Sequence, residues 1–162
     1  MYNIFHAEEK DKNEILDLYR TQIGREFCAW DEHYPGEHEI DFDLSRDALF
    51  IMKDDDGRIV AAISLDDDKL VNDLTVWNKD LQPSCEFARV AVLPELQGRG
   101  IARKMVKYAL DEMKNRGYIS VHFLVNKYNI KAIKSYAAFD FNVVGECFLY
   151  DQDFLCYEME LK

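Results

Sequence analysis

No stretch of this chain can cross a bilayer: its longest nearly apolar run, Ile59 to Leu65, is far short of the roughly 20 residues that a spanning helix needs. The first residues hold no basic flank leading into an apolar segment, and Glu8 and Glu9 follow at once, so a signal peptide is not expected and a cytoplasmic location is. No Cys-x-x-Cys or Cys/His ligand spacing joins Cys28, Cys85, Cys147 and Cys156. Free, mostly buried thiols are expected, with no metal site. A surplus of basic charge is missing too. The net charge of −11 opposes a nucleic-acid partner, whose phosphates this surface would repel, and permits a cationic one such as an amine. Linkers, repeats and low-complexity tracts are absent, and 162 residues fit one domain over 1–162.

Against that acidic background the basic residues cluster. Leu96 to Leu110 holds no acid but carries Arg99, Arg103, Lys104 and Lys107. Asn126 to Phe139 is likewise acid-free and carries Lys127, Lys131 and Lys134. Two local islands suit one small anionic ligand better than a polyanion spread over the surface.

Apolar periodicity gives the elements. Ile4 to His6 suits a first strand, Asp11 to Ile23 a helix, and Asp41 to Arg46 a short helix after an irregular aromatic segment, Phe27 to Ile40. Ala48 to Lys53 and Arg58 to Leu65 flank Asp54-Asp55-Asp56-Gly57 as a hairpin, with glycine where a positive φ is needed. Leu70 to Trp77 reads as extended, and Glu86 to Val92 as a strand. Beyond Gly98 the period changes. Ile101, Ala102, Met105, Val106, Ala109, Leu110 and Met113 form a helical stripe that stops at Arg116-Gly117. Ile119 to Val125, a helix over Asn129 to Ala138, and a closing hairpin of Phe141 to Tyr150 and Asp153 to Leu161 complete an α/β (α+β) chain, a mixed sheet covered by about four helices.

Gln97-Gly98-Arg99-Gly100-Ile101-Ala102 joins the strand ending at Val92 to the amphipathic helix. A helix N-terminus leaves about four N–H groups without helical partners and carries partial positive charge, so such a turn can hold a pyrophosphate. Glycine at 98 and 100 lets the backbone approach phosphate oxygens, or else serves the turn geometry alone. The pattern lacks the third glycine of a Rossmann turn and the Gly-Lys-Ser/Thr of a P-loop.

These residues resemble the GNAT (Gcn5-related N-acetyltransferase) superfamily. Gln97 to Ala102 matches its Gln/Arg-x-x-Gly-x-Gly/Ala signature, and Asn129-x-x-Ala132-x-x-x-Tyr136 matches its second motif downstream. The resemblance implies a GNAT fold, in which strands 4 and 5 splay apart, and an N-acetyltransferase that uses acetyl-CoA and no metal. It implies that Val90, Ala91 and Val92 pair with the pantetheine arm. The pyrophosphate falls to the segment of Gln97, Gly98, Arg99, Gly100, Ile101, Ala102 and Arg103, and Asn129 helps to hold the arm. Tyr136 stands where the family has its general acid. Glu86 stands where the histone-acetyltransferase branch has its base, although an exposed strand glutamate fits that position equally. On the following strand, where the ribosomal-protein branch has its base, this chain has Leu124. His122 is a further base candidate or a half-buried strand histidine. Trp30 and Tyr34, in the acidic aromatic segment, are candidates to receive the amine, or simply pack that loop. A homodimer is allowed. A catalytically silent acyl-CoA-binding copy of the fold is the alternative to an enzyme.

Overall fold

The computed structural model describes residues Met1–Lys162. Seven strands, β1 (Asn3–His6), β2 (Leu49–Lys53), β3 (Ile59–Asp66), β4 (Ser84–Val92), β5 (Ser120–Asn126), β6 (Asn142–Leu149) and β7 (Gln152–Glu160), form a sheet in the order β1-β2-β3-β4-β5-β7-β6. Five α-helices accompany them: α1 (Lys12–Arg20), α2 (Glu37–Ser45), α3 (Lys69–Asn72), α4 (Ile101–Asn115) and α5 (Ile130–Tyr136). By contacts the chain divides into two compact units, Met1–Asp66 with Ala88–Ala109 and Asp67–Phe87 with Leu110–Lys162.

In the first unit β2 pairs antiparallel with both β1 and β3. Nearly every residue of β2 and β3 is buried, which is why both read as continuous apolar runs and not as alternating ones. Asp54 Oδ1 accepts the N–H groups of Asp56 (3.0 Å) and Arg58 (2.9 Å). Gly57 completes that hairpin turn at φ 81°, a conformation that side chains resist. Ile15, Leu18 and Tyr19 of α1 and Ile40 of α2 pack on Leu49, Ile51, Ile59, Ala62 and Ala91.

In the second unit β5 pairs antiparallel with β7 from Ser120↔Glu160 to Asn126↔Phe154, and β7 pairs with β6. Val71, Trp77 and Cys156 form the centre of its core, with Leu74, Val76, Leu124, Cys147 and Leu149 around them. The parallel ladder of β4 with β5 has three pairs, Ser84↔Ser120, Cys85↔Val121 and Glu86↔His122. It covers only the start of β4, in keeping with the parting of strands 4 and 5 that the resemblance implies. All four cysteines are free thiols, and no helix is long and apolar enough to cross a membrane.

Two elements differ from the sequence reading. The stretch expected to be extended from Leu70 to Trp77 begins instead with α3, because Asp68 caps it by accepting the Leu70 N–H (3.0 Å) and Lys69 pairs with Asp73 one turn on. This helix brings the count to five where about four were expected. The second helix starts at Glu37, four residues before Asp41. The Glu39 carboxylate reaches back to accept the Gly36 N–H (2.8 Å), which organises that first turn.

Candidate active site

The signature turn and its approach lie in the first unit. Gly98 and Gly100 both have left-handed backbones, at φ 78° and 79°, so the turn needs glycine at both positions for its geometry. A Cβ at either would meet no protein atom within 4 Å, so the space over the turn is open. The first helical bond here runs from the Lys104 N–H to the Gly100 carbonyl (3.2 Å). The amides of Ile101, Ala102 and Arg103 therefore precede the hydrogen-bonded ladder of α4. Arg99, Arg103 and Lys104 are exposed beside them. Open glycine backbone, helix-end amides and exposed cations together fit a diphosphate.

Gln97 has a different position from the glycines. Its Oε1 accepts from Arg25 (2.8 Å), and its Nε2 donates to the Val92 carbonyl (3.1 Å) and to Gln22 Oε1 (3.4 Å). Gln22 Nε2 donates to the same Val92 carbonyl (2.8 Å). The signature glutamine thus ties the turn to the end of α1 and to the end of β4. Val90 is half-buried, while Ala91 and Val92 are buried, and the Leu93 N–H is taken by the Val60 carbonyl (2.9 Å).

Trp30 lies edge-on to Tyr19 at 5.5 Å between ring centroids and packs against the core. Tyr34 is more open, with 45% of its surface exposed, yet its hydroxyl accepts from Arg89 Nη1 (3.2 Å). Burial raises the Tyr34 phenol above its ordinary value, against the pull of Arg89.

Arg89 itself escaped the sequence reading. It is buried in β4 and bonded to Asp43 and Asp66. A charge inside the otherwise β-forming run Phe87 to Val92 was the available signal, because a buried arginine requires acidic partners. Nothing in sequence spacing identifies those partners.

The remaining residues lie in the second unit. Tyr136 sits at the end of α5 within an aromatic cluster, its ring 5.1 Å from that of Phe123, 5.8 Å from Phe87 and 6.1 Å from Phe141. Burial, with a smaller contribution from Tyr157, pushes its phenol up to about 12, so it keeps its proton at neutral pH. Asn129 is the N-cap of the same helix, its Oδ1 accepting the Ala132 N–H (3.0 Å).

Glu86 is 6% exposed and pairs in register with His122, which in turn pairs with Glu158, 4% exposed. Residues in register across neighbouring strands share a face. Glu86, His122 and Glu158 therefore form a buried polar row on β4, β5 and β7. Phe87 and Phe123, next in sequence to Glu86 and His122, face the other way, toward Tyr136. The two candidate proton-transfer residues accordingly lie on opposite faces of the sheet.

His122 is held on all sides: the Ser84 hydroxyl donates to Nδ1 (2.6 Å), Nε2 donates to Asn72 Oδ1 (3.0 Å), and Trp77 covers the ring at 4.7 Å. Burial pushes its pKa down to about 4. At neutral pH it is an uncharged ring of low basicity, which weakens it as a base candidate. Glu158 accepts the Asn78 N–H (3.1 Å), and burial raises its carboxyl. Leu124 lines the apolar core of this unit.

Comparison with known proteins bears on the family and the fold. A model of the acetyltransferase (GNAT) family matches residues 13–141. No curated protein matches the chain in sequence. Among solved structures, an N-acetyltransferase from Staphylococcus aureus superposes with a TM-score of 0.76 at 20% identity, over 100% of this chain and 99% of that one. The Salmonella typhimurium protein yncA, solved with its cofactor acetyl-CoA, has a TM-score of 0.74 at 16% identity, over 100% and 95% of the two chains. A ribosomal-protein-alanine N-acetyltransferase from Brucella melitensis has a TM-score of 0.73 at 20% identity, over 98% and 99%.

Proposed function

From the premise that the chain belongs to the GNAT acetyltransferase family, we propose that it transfers the acetyl group of acetyl-CoA to a primary amine of a small molecule or a protein. The observation that carries this reading is the signature turn: two left-handed glycines under open space, ahead of a helix N-terminus with exposed Arg99, Arg103 and Lys104. In this reading the backbone from Gly98 to Arg103 receives the pyrophosphate. Val90 to Val92 accompany the pantetheine arm, and Asn129, with its Oδ1 engaged as a helix cap, contributes its amide nitrogen to that arm.

The neutral amine nitrogen attacks the thioester carbonyl carbon directly. Glu86 takes the proton that the nitrogen sheds, the C–S bond of the tetrahedral intermediate breaks, and Tyr136 gives its phenolic proton to the departing sulfur. Tyr136 carries the proton for that step at neutral pH. Trp30 and Tyr34 would contact the acceptor, and the charge of −11 favours a cationic one.

A panel of amines incubated with acetyl-CoA, with release of free thiol as the readout, tests the activity. Gly100→Asp sets a carboxylate against the pyrophosphate, so it is expected to abolish acetyl-CoA binding in calorimetry. Unchanged affinity there would remove the donor assignment. Tight acetyl-CoA binding without thiol release on any amine would favour the silent acyl-CoA-binding alternative.

A further inference from the structure

Arg89 has φ 51° in the middle of β4. A non-glycine residue held in the left-handed region persists only where its surroundings over-determine it. Here they do. The Arg89 side chain is 4% exposed. Its Nη2 donates to both oxygens of Asp43 (3.0 and 3.2 Å) and to Asp66 Oδ1 (3.2 Å). Its Nη1 donates to Asp66 Oδ2 (3.2 Å) and to the Tyr34 hydroxyl (3.2 Å). Asp43, wholly buried, also accepts from Ser64 Oγ (2.6 Å) and Arg46 Nη2 (2.8 Å). The loop before α2, α2 itself and the end of β3 thus converge on one guanidinium, whose rigid planar fork can serve several acceptors at once. The carboxylates outweigh burial and hold the group firmly charged.

The residues that follow this kink are Val90, Ala91 and Val92. We infer that Arg89 is a positioning residue for the acyl donor: its ion pairs lock the left-handed kink, and the kink sets the direction in which Val90–Val92 present their backbone groups to the pantetheine arm. The inference rests on the reading of Val90–Val92 as the arm-binding segment. Because Tyr34 shares the guanidinium, the same lock fixes one aromatic residue of the loop assigned to the acceptor.

The test is calorimetry on the full chain with two ligands, acetyl-CoA and 3′-phospho-ADP, the nucleotide half of CoA that lacks the arm. Arg89→Lys keeps the charge but loses the fork. It is expected to weaken acetyl-CoA about tenfold and to leave 3′-phospho-ADP within about twofold of the wild type. Ser64→Ala removes a hydrogen bond to the same Asp43 while sparing the Arg89 pairs, and is expected to change acetyl-CoA affinity less than about twofold. Equal weakening of both ligands by Arg89→Lys would reveal general damage and overturn the inference, as would wild-type acetyl-CoA affinity. Should Arg89→Lys fail to fold, Asp66→Asn removes one arm of the lock at a partly exposed carboxylate. It should weaken acetyl-CoA about threefold and spare 3′-phospho-ADP, and an unchanged acetyl-CoA affinity would again overturn the inference. Gly100→Asp separates the two levels. If it binds acetyl-CoA like the wild type, the donor assignment itself falls; if it loses binding while Arg89→Lys keeps it, only the positioning role falls.

Discussion

At the scale of single residues, the most consequential environment is that of Tyr136. A phenol surrounded by Phe87, Phe123 and Phe141 loses the water that would stabilise its anion, hence its raised pKa of about 12. In the proposed mechanism this phenol supplies the proton that the departing sulfur takes. Tyr136→Phe keeps the ring packing and removes only the proton. The expected result is a fall in kcat of about 100-fold with little change in acetyl-CoA affinity, read from steady-state kinetics beside calorimetry. Retained kcat would exclude Tyr136 as the acid. The same loss of water acts on His122. Enclosed by Ser84, Asn72 and Trp77, the ring favours its neutral form and its basicity falls.

At the scale of elements, the hairpin of β6 and β7 illustrates how packing constrains a strand beyond its pattern. The register shifts between Val143 and Gly145, and Gly145 lies so close to the segment after α3 that a Cβ there would come within 2.8 Å of Val76 Cγ1. Its φ is not the issue; the space is. Gly145→Ala should destabilise the chain by about 1–3 kcal/mol in urea titration, because the branched valine cannot swing away. Adding Val76→Ala should recover most of that loss, and additive losses would show that the contact is not responsible. Strand β4 carries the comparable constraint at Arg89, where an ion-pair lock replaces glycine as the means of holding a left-handed residue.

At the scale of the whole molecule, acid sensitivity follows from buried His122 and is opposed by Glu158 beside it. The folded state holds His122 near 4 where the unfolded chain has 6.5. Between those values the unfolded chain binds a proton that the folded one refuses. The stability associated with a neutral His122 is therefore complete above pH 6.5 and drains as pH falls toward 4, by about 3 kcal/mol in all. Glu158, raised by burial, acts in the other direction. Its protonated form favours the folded state in acid, and that contribution fades as pH rises through its folded pKa. Tm measured across this window should fall toward pH 4, and His122→Gln should flatten the fall; an unaltered slope would mean that another group governs it.

Much of this protein could be read in one dimension. Short-range stereochemistry governs turns, caps and amphipathic stripes, so the seven strands, the hairpin at Gly57 and the helix after Gly100 followed from local pattern. So did the two motifs that identify the family. Segments without a single dominant period were misjudged: Leu70, Val71, Leu74, Val76 and Trp77 suit a strand or a turn of helix, and the Asp68 cap decided the matter. The tertiary structure alone revealed that Gln97 serves the scaffold of the turn, that Glu86 and Tyr136 face opposite ways, and that Arg89 meets Asp43 and Asp66 from 46 and 23 residues away. The physical reason is one of range. Backbone conformation is set by neighbours in sequence, whereas the desolvation of a charge, and the partners that make it tolerable, depend on what the fold brings alongside.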